Sequence, residues 1–291
     1  MEEAEFIWIS GGSKKNWKQH SLNSPDQYQN IADNVNCKPL SAVAGKGDKD
    51  CMKSRPSAMT TSNGLPFLDD AAIRMFRVGK HFGDISALKD ISLTIQENDF
   101  VFVTGASGAG KSTLIKLLYM GETATEGAII VDGVNLSRIP RRQVPQLRRK
   151  FGVIFQDFKL IPTRTVFDNV ALVLEVARIR PDEIKDRVYE VLERAGIADR
   201  AKTFPPVLSG GEQQRVAVAR AMVGEPKFIL ADEPTGSLDP DSAGRIFGLL
   251  EDAHDLGATV IIATHDSELI NAHSGPVIRL ENGQMCLDYQ N

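Results

Sequence analysis

Residues 105–113 constrain the fold of this chain more than any other stretch. They read Gly-Ala-Ser-Gly-Ala-Gly-Lys-Ser-Thr, which fits the spacing G-x-x-x-x-G-K-[ST]. The apolar residues 100–103 before them have the pattern of a strand, and residues 113–120 after them have the pattern of a helix. Glycines let such a loop curl so that its N–H groups converge, and the positive end of the helix faces the same point. The arrangement predicts a loop that binds the phosphates of a nucleoside triphosphate, rather than an idle glycine-rich turn.

Two side chains of this loop have separate expected roles. Lys111 can reach the β- and γ-phosphates, and the Ser112 hydroxyl can hold Mg²⁺. Backbone N–H groups supply the other phosphate contacts. The predicted nucleotide-binding residues are Gly105, Ala106, Ser107, Gly108, Ala109, Gly110, Lys111, Ser112 and Thr113.

The bulk composition is that of an ordinary globular protein and argues against several classes. The 291 residues are 42% hydrophobic with a net charge of −4, unlike a nucleic-acid-binding protein, and the basic residues within 138–150 predict a solvated helix face. Cys37, Cys51 and Cys286 show no metal-ligand spacing, and their odd number fits a reducing compartment. No apolar run approaches the ~18–20 residues of a membrane span, and the acidic start is unlike a signal peptide. We expect a cytoplasmic protein that reaches a membrane only through a partner.

The first 70 residues differ from the rest of the chain in composition and in hydrophobic periodicity. Leu, Ile, Val and Phe together number eleven of these 70, and they follow neither a period of 2 nor a period of 3.6. This composition predicts that residues 1–71 form a disordered extension, whose role the sequence does not assign. A later translation start is the alternative. Residues 72–291 are predicted to form the folded domain.

Strand and helix patterns alternate through that domain, which predicts an α/β fold with a central parallel sheet. Residues 152–155, 228–233 and 258–264 are nearly continuous apolar runs, typical of strands buried on both faces. Residues 167–179 and 182–195 are amphipathic and predict two helices. The dipeptide Asn282-Gly283 predicts the turn of a C-terminal hairpin.

Polar residues follow three of the predicted strands: Gln156, the pair Asp232 and Glu233, and His265. The carboxyl ends of parallel strands meet at one edge, where such sheets bind ligands. Asp232 suits a Mg²⁺ anchor, and Glu233 can orient or deprotonate an attacking water. His265 can hydrogen-bond a γ-phosphate. The alternatives, a solvated strand end and a structural histidine, are weaker in a chain that also has the phosphate loop.

A second anion site is predicted at residues 208–215, which read Leu-Ser-Gly-Gly-Glu-Gln-Gln-Arg. Ser209 can cap a helix that begins here, and Glu212, three residues later, completes a capping box. Gly210 and Gly211 leave the backbone N–H groups at the start of this helix exposed, where they can contact an anion.

One aromatic residue is a candidate contact for a nucleotide base. Residues 73–78 and 91–95 alternate apolar and polar side chains, which predicts two strands with one buried face each. Phe82 lies between them and can stack on an adenine ring. The spacing leaves open the alternative that Phe82 only packs in its loop.

Together these motifs resemble the nucleotide-binding domain of ABC transporters, from about Ile73 to the C-terminus. The run Leu-Ser-Gly-Gly-Glu-Gln-Gln is the most discriminating, because other phosphate-loop proteins lack it. The resemblance implies a P-loop NTPase fold of ABC type, with a mainly parallel central sheet, an antiparallel β subdomain and a helical subdomain at about residues 157–224.

The resemblance also implies an ATPase with defined site residues. The implied substrate is ATP, and the implied catalytic residues are Glu233, His265 and Gln156. The residues expected to bind Mg²⁺ are Ser112, Gln156 and Asp232. The functional unit implied by the resemblance is a head-to-tail homodimer with two ATP at its interface. In that dimer each subunit is expected to contact the ATP of the other through its signature residues Ser209, Gly210, Gly211 and Glu212, with Asp239 as the D-loop aspartate.

Within that family the chain is similar to the FtsE-type ATPases of cell division. The similarity rests on residues 154–161 (Ile-Phe-Gln-Asp-Phe-Lys-Leu-Ile) and 164–171 (Arg-Thr-Val-Phe-Asp-Asn-Val-Ala), and on Phe-Pro just before the signature. It implies an FtsX-like integral membrane partner, a place on the cytoplasmic face of the cell membrane, and a role in controlling cell-wall hydrolysis. Phe82 instead of Tyr, Ser237 instead of Asn, and the long extension depart from the family pattern.

Other functions stay open on the sequence alone. ATPases of lipoprotein-release or macrolide-export type share Ala-Asp-Glu-Pro-Thr-Gly, but they differ after the glutamine, so Asp157 and residues 164–166 favour the cell-division type. Soluble ABC proteins of translation or repair usually carry two nucleotide domains or a coiled-coil insertion, and neither is present. The apolar residues after Gln156 are expected to receive a helix of the membrane partner, the alternative being that they serve only the core of the domain. The sequence does not identify that partner, nor whether anything is transported.

Overall fold

The computed structural model describes residues 71–236, 238–273 and 275–287, without the side chains of Glu268, Ala272 and Leu287. The expected disordered extension lies outside these residues apart from Ala71, with which the first strand begins. Ser237, one of the departures from the family pattern, also lies outside them.

An antiparallel sheet is built from β1 (Ala71–Phe82), β2 (Ile85–Gln96), β4 (Glu126–Val131) and β5 (Val134–Asn135). Its strand order is β2, β1, β4, β5. The pairing of β1 with β2 shifts register between Met75 and Val78, where Arg77 and the facing Asp90 take left-handed φ values of 46° and 50°. This sheet is the antiparallel β subdomain expected from the resemblance.

A central sheet contains β3 (Phe100–Thr104), β6 (Phe151–Ile154), β7 (Phe228–Asp232), β8 (Thr259–Ala263), β9 (Val277–Glu281) and β10 (Gln284–Leu287). The order is β10, β9, β3, β8, β7, β6, and only the pairing of β10 with β9 is antiparallel. Asn282 and Gly283 join β9 to β10 with φ values of 49° and 78°, the left-handed values that a two-residue hairpin turn requires. The predicted α/β fold with a mainly parallel sheet is confirmed.

The helices are α1 (Lys111–Leu118), α2 (Val144–Arg148), α3 (Val166–Val176), α4 (Pro181–Arg194), α5 (Gly210–Met222), α6 (Pro240–Asp255) and α7 (Ser267–Ala272). Helices α3 to α5 lie in the expected helical subdomain. Helix α3 ends three residues before the predicted Ile179, because Arg178 takes a left-handed φ of 62° and Pro181 already starts α4. Within the described residues, none of the helices combines the length and the apolarity that crossing a bilayer requires.

The basic stretch at residues 138–150 is less helical than its composition indicates. Only α2 is α-helical, and Arg141 and Arg142 lie exposed in a 3-10 turn before it. Arg148 donates from Nε to the carbonyl of Tyr119 at 3.2 Å and from Nη2 to that of Met120 at 2.7 Å. Arg148 therefore binds the backbone directly after α1. Its position in a run of basic residues does not predict this contact.

Two apolar cores cover the two faces of the central sheet. Along β3, Phe100 and Phe102 point into a core shared with α3 to α6, whereas Val101 and Val103 point into a core shared with α1 and the antiparallel sheet. Burial on both faces explains the continuous apolar runs of the parallel strands. The sheet is thereby a rigid support for the loops at the carboxyl ends of its strands.

Candidate functional site

Four loops of the predicted site meet at the carboxyl edge of the central sheet. They follow β3, β8, β7 and β6, which are neighbours in that order and run parallel. The glycine-rich loop follows β3, Gln156 follows β6, Asp232 ends β7, and His265 follows β8. The sheet topology therefore brings together the residues that the sequence analysis placed at separate strand ends.

The glycine-rich loop depends on glycine at two positions in particular. Gly105 has φ 144°, and a Cβ atom there would lie 2.2 Å from the carbonyl oxygen of Leu280. Gly110 has φ 107° and precedes α1 directly, and a Cβ atom there would lie 2.7 Å from the carbonyl oxygen of Ala87. A side chain at either position would both strain the backbone and clash with it. The loop can therefore lie against its neighbours only with glycine at these points.

Lys111 is buried at the start of α1 and bridges the loop to Glu233. Its Nζ donates to the carbonyl of Gly105 at 2.8 Å and lies 3.3 Å from Glu233 Oε1. The other carboxylate oxygen of Glu233, Oε2, lies 2.9 Å from His265 Nδ1. Glu233 is thus held between a cation and an imidazole, with its side chain 12% exposed. This contact joins three of the predicted site residues.

Ser112 and Asp232, two of the three predicted Mg²⁺ ligands, are in direct contact. Ser112 Oγ donates to Asp232 Oδ1 at 3.0 Å. Burial raises the pKa of the Asp232 carboxyl, a trend that the hydrogen bond from Ser112 opposes and the negative charge of Glu233 reinforces. A half-buried carboxylate beside a hydroxyl is an oxygen donor pair of the kind Mg²⁺ prefers, so these residues fit the ion. A cation there would remove the cost of burying the charge of Asp232.

The loop encloses a cavity of about 490 Å³, large enough for a nucleotide. Its wall contains Ala106 to Thr113 of the loop and α1, together with Gln156, Glu233 and His265. Ala87 and Gly236 also line it, and the sequence analysis assigned them no role. Gly236 could have been found from the sequence, because it lies in the turn directly after Glu233. Nothing in the sequence around Ala87 indicates a place in the site. The cavity unites the predicted catalytic residues with the phosphate loop.

A larger cavity of about 680 Å³ lies against the other side of the same loop. It shares Gly105 to Ala109 and His265 with the site, but its wall contains neither Lys111 nor Glu233. We therefore take the smaller cavity as the phosphate site. Size alone does not identify the chemistry.

Phe82, the candidate for adenine stacking, does not belong to the wall of the phosphate cavity. Its ring is 44% exposed at the end of β1, and Lys80 Nζ lies 4.5 Å from the ring centroid. The buried Lys80 also donates to Glu122 Oε2 and to the carbonyl of Thr123, both at 2.9 Å. The ring thus has a defined partner on the protein side and remains accessible, as stacking on a base requires.

The signature residues form the predicted capping box but lie outside both cavities. Ser209 Oγ accepts from the N–H of Glu212 at 3.3 Å, and Glu212 Oε2 accepts from the N–H and the hydroxyl of Ser209, both at 2.8 Å. These hydrogen bonds from Ser209 lower the pKa of the Glu212 carboxyl. Ser209 and Gly210 are exposed. The predicted capping box at the start of α5 is therefore confirmed, and its residues are not part of the phosphate cavity wall of their own chain.

Helix α6 packs closely against the start of α5. A Cβ atom on Gly211 would lie 2.7 Å from Ser242 Oγ, so glycine lets the two helices approach. Asp239 caps α6, since its Oδ1 accepts from the N–H of Ser242 at 2.9 Å, and hydrogen bonds from Ser242 lower the pKa of the Asp239 carboxyl. The predicted D-loop residue is thereby tied to the signature helix through Ser242.

The backbone after Gln156 is held by an arginine that the sequence analysis did not single out. Arg220 of α5 donates from Nη1 to the carbonyl of Lys159 at 2.6 Å and from Nη2 to that of Phe158 at 2.7 Å. Burial lowers the pKa of Arg220. Phe158 and Lys159 both have left-handed φ values, 58° and 49°. A contact across about 60 residues leaves no local signal in the sequence.

Comparison with known proteins gives the family. Residues 88–236 match the family model described as ABC transporter. The cell division ATP-binding protein FtsE of Bacillus subtilis is 48% identical over 204 residues, which are 70% of this chain and 90% of that protein. FtsE of Escherichia coli K12 is 45% identical over 214 residues, which are 73% of this chain and 96% of that protein.

Solved structures agree with the sequence relatives. A dimeric ATP-binding cassette, MJ0796, in a post-hydrolysis state bound to ADP and Pi superimposes with a TM-score of 0.69 at 35% identity, over 73% of this chain and 96% of that one. CbiO1 from Clostridium perfringens, part of an ABC transporter complex, gives a TM-score of 0.69 at 31% identity, over 75% of this chain and 88% of that one. The chain therefore belongs to the ABC ATPases, and within them to the cell-division ATP-binding proteins of FtsE type, which makes it an ATP-hydrolysing enzyme.

Proposed function

We propose that this ATPase is the nucleotide-hydrolysing subunit of a complex of FtsE–FtsX type, in which ATP-driven closure of an ATPase dimer controls cell-wall hydrolysis in cell division. The relatives named cell division ATP-binding protein FtsE support this role, since they are 45–48% identical over most of their length. No contact in the described residues favours lipoprotein release or macrolide export. We further propose residues 72–291, together with Ala71 at the start of β1, as the ABC domain, and the residues before Ala71 as an extension outside its core.

Glu233 is the general base in this proposal, and the observation that carries it is the contact between Lys111, Glu233 and His265. Phosphoryl transfer needs positioning and charge neutralisation more than covalent help. Glu233 takes the proton of the attacking water, and His265 hydrogen-bonds the γ-phosphate. Lys111, which donates to the loop carbonyl of Gly105, turns to the β- and γ-phosphates when ATP fills the cavity. Gln156, on the cavity wall, orients the reacting groups.

Mg²⁺ would be held by Ser112, Gln156 and Asp232. The support is the hydrogen bond of 3.0 Å between Ser112 and Asp232 and the place of Gln156 on the same cavity wall. When bound, the ion supplies positive charge to the β- and γ-phosphate oxygens. Asp232 must be ionised to bind the ion. Lys111, which lines the same cavity as Ser112, would add a second positive charge beside the phosphates.

The complete site needs a second copy of the chain. Ser209, Gly210, Gly211 and Glu212 form an anion site that lies outside the phosphate cavity of their own subunit. In a head-to-tail homodimer they close over the ATP of the other subunit, next to Asp239. The dimeric cassette among the structural relatives supports this arrangement.

The membrane partner is proposed to bind the segment after Gln156, which places the ATPase at the cytoplasmic face of the cell membrane. Val166, Val170 and Leu174 are buried in the domain core, so the expected apolar patch is smaller than the sequence indicates. Phe158, Leu160 and Ile161 are only partly buried, and Pro162 is exposed. We propose that these four residues, which follow Gln156 most directly, contact an FtsX-like helix. Phe167, Leu172 and Val173 further along the segment are also only partly buried.

The test of the ATPase assignment is Glu233→Gln in the full chain. The substitution keeps the size of the side chain but removes the base, so hydrolysis should fall about 100-fold or more while ATP binding persists and an ATP-bound dimer accumulates. Glu225→Gln is the matched control, because Glu225 also has a left-handed φ, 48°, but is exposed and distant from the cavity. Turnover close to that of the unmodified protein in Glu233→Gln would reject the role of Glu233.

A further inference from the structure

Helix α5, which begins with the signature residues, also contacts the turn that carries Glu233. Gln214 of α5 is 1% exposed, and its Nε2 donates to the carbonyl of Pro234 at 2.8 Å. Pro234 follows Glu233 directly in the chain. The amide of Gln214 thus holds the peptide between Pro234 and Thr235, one residue beyond the proposed base.

The backbone at Glu233 needs such support. Glu233 has a φ of 49°, a left-handed value that is unfavourable for a residue with a long side chain. Residues in this region keep their conformation only where the surrounding structure holds them. On one side the N–H of Glu233 donates to the carbonyl of Ala263 in β8 at 2.8 Å, and on the other side Gln214 holds Pro234. Removing one of these two restraints should therefore weaken the hold on the backbone at Glu233.

The same helix holds the loop that carries Gln156. Arg220 donates to the carbonyls of Phe158 and Lys159, at 2.7 and 2.6 Å. Both residues have left-handed φ values, as Glu233 has. A planar guanidinium can bind two neighbouring carbonyls at once, so one side chain restrains two consecutive unfavourable residues.

The part of α5 between these two side chains is rigid. Val216, Ala217, Val218 and Ala219 are four consecutive residues with 0% exposure, so the helix is covered on every side here. Gln214 and Arg220 are six residues apart, which is about 9 Å along the axis. Interiors packed in this way move as bodies rather than deforming. A displacement at the Ser209 end of α5 is therefore passed to both loops.

We propose that Gln214 and Arg220 are positioning residues through which α5 sets the geometry of Glu233 and Gln156 in its own subunit. When Ser209 closes on the ATP of the other subunit, α5 carries that movement to both catalytic loops of its own site. The inference rests on the proposed function, because it takes Glu233 and Gln156 as catalytic and Ser209 as the contact in trans.

The turn after Glu233 also has a second hydrogen-bonding arrangement available. Gln214 Oε1 and Thr235 Oγ1 are both buried and have no hydrogen-bond partner within the described residues. Thr235 follows Pro234, whose carbonyl accepts from Gln214 Nε2, and the hydroxyl of Thr235 can donate whereas the amide oxygen of Gln214 can only accept. Buried polar groups without partners favour any rearrangement that pairs them. A movement of α5 that brought these two groups into contact would give the turn a second state for dimer closure to select.

The first test is Gln214→Leu in the full chain, which keeps the volume and removes the donor. The kcat for ATP hydrolysis should fall about 10-fold to 100-fold, because the base is misplaced, while the KM for ATP stays within about twofold. Thr259→Val is the matched control. Thr259 is also 1% exposed, and its Oγ1 accepts from the backbone N–H of Asn98 at 2.9 Å, at the opposite edge of the sheet. This control should lose stability and keep kcat.

A double variant separates positioning from general structural damage. If Gln214 acts through Glu233, adding Gln214→Leu to Glu233→Gln should leave the residual single-turnover rate unchanged. An equal fold loss in both backgrounds would overturn the inference. If Gln214→Leu does not fold, Gln214→Met, which keeps the unbranched shape and has no N–H donor, replaces it. High turnover of Glu233→Gln alone would instead refute the proposed base, so the two failures are distinguishable.

The second test is Arg220→Lys, which keeps the charge but cannot bind two carbonyls as a fork. Its kcat should fall at least about 10-fold, and the fall should vanish when Gln156→Ala is already present. Arg149→Lys is the matched control, since Arg149 donates from Nη2 to the carbonyl of Val176 at 2.9 Å, on the exposed surface. An unchanged kcat in Arg220→Lys, or a loss that persists in full beside Gln156→Ala, would overturn the role of Arg220.

Discussion

A cluster of four charges at the edge of the central sheet opposite the site gives the most direct test of how the two sheets are joined. Asp132 lies in the turn after β4 and accepts from Lys227 Nζ at 2.6 Å and from Lys150 Nζ. Lys150 and Lys227 directly precede β6 and β7, and Lys227 also donates to Glu97 at 2.6 Å. The carboxylate of Asp132 thus ties the antiparallel sheet to two parallel strands. Asp132→Asn removes the charge and tolerates the left-handed φ of 48°.

The expected loss of stability follows from the two hydrogen bonds that Asp132 accepts and from the solvent exposure of the two lysines that donate them. A hydrogen bond between two charged groups contributes about 1.5–3 kcal/mol, against about 1 kcal/mol for a neutral one. The lysine side chains are 39% and 35% exposed, so water replaces part of what is lost. After this discount each bond weakens by about 1 kcal/mol, and the free energy of unfolding falls by about 2 kcal/mol. For a domain of this size the melting temperature should fall by about 4–8 °C.

The pH dependence of this loss has a defined sign. Hydrogen bonds from Lys150 and Lys227 hold the pKa of Asp132 below its ordinary value of 3.8. A lowered pKa stabilises the fold above the unfolded value, and the stabilisation is lost as the pH falls through the folded value. Asp132 and Glu97 raise the pKa of Lys227 above 10.5, so its contribution is complete below that pH. The difference between the two proteins should therefore be constant from about pH 5 to pH 9 and shrink below about pH 4.

Urea unfolding of the full chain at pH 7, pH 5 and pH 3.5 measures this difference. Asp252→Ala is the control, because Asp252 is 54% exposed and lies 3.6 Å from Arg194, where an ion pair contributes about 0.5 kcal/mol or less. A loss in Asp132→Asn no larger than that of the control, or a difference that grows toward pH 3.5, would refute the reasoning.

Three further predictions concern the site, the partner and the extension. Lys111→Ala should abolish ATP binding by the monomer, whereas Ser209→Arg should preserve it and block hydrolysis by the dimer; equal binding defects in nucleotide titrations would contradict a shared site. Phe158→Ala or Leu160→Asp should weaken pull-down with the FtsX-like partner, by ~2 kcal/mol or more at an interface anchor, with ATP affinity unchanged; undiminished pull-down would exclude this docking segment. A chain that begins at Ala72 should fold and hydrolyse ATP like the full chain; a large drop in its melting temperature would show that the extension packs on the domain.

The parts of this fold that could be predicted from the sequence are those with a local cause. The turn at Asn282 and Gly283 and the capping box of Ser209 and Glu212 arise from residues within three positions of each other, and both occur as predicted. The topology of the parallel sheet allows a further part of the site to be predicted. Because parallel strands end at one edge, Asp232 and His265 could be expected near the phosphate loop without any knowledge of side-chain contacts.

The contacts that could not be predicted join distant parts of the chain. Arg220 binds carbonyls about 60 residues away, and Lys227 binds Asp132 across 95 residues. In the sequence both basic residues look like ordinary surface charges. Hydrophobic periodicity predicts which face of an element is buried, but it does not predict which group a particular side chain contacts. The early end of α3 has a different cause, since Arg178 takes a left-handed conformation that its residue type does not favour.

The way Arg220 binds its loop has a consequence for how such ATPases can diversify. The acceptors are main-chain carbonyls, which every residue has, so the anchor does not depend on which side chains stand at positions 158 and 159. Substitutions there are limited mainly by the left-handed backbone, which disfavours β-branched residues. If this loop binds the membrane partner as proposed, its side chains can therefore change to suit a different partner while the anchoring of its backbone to α5 is kept.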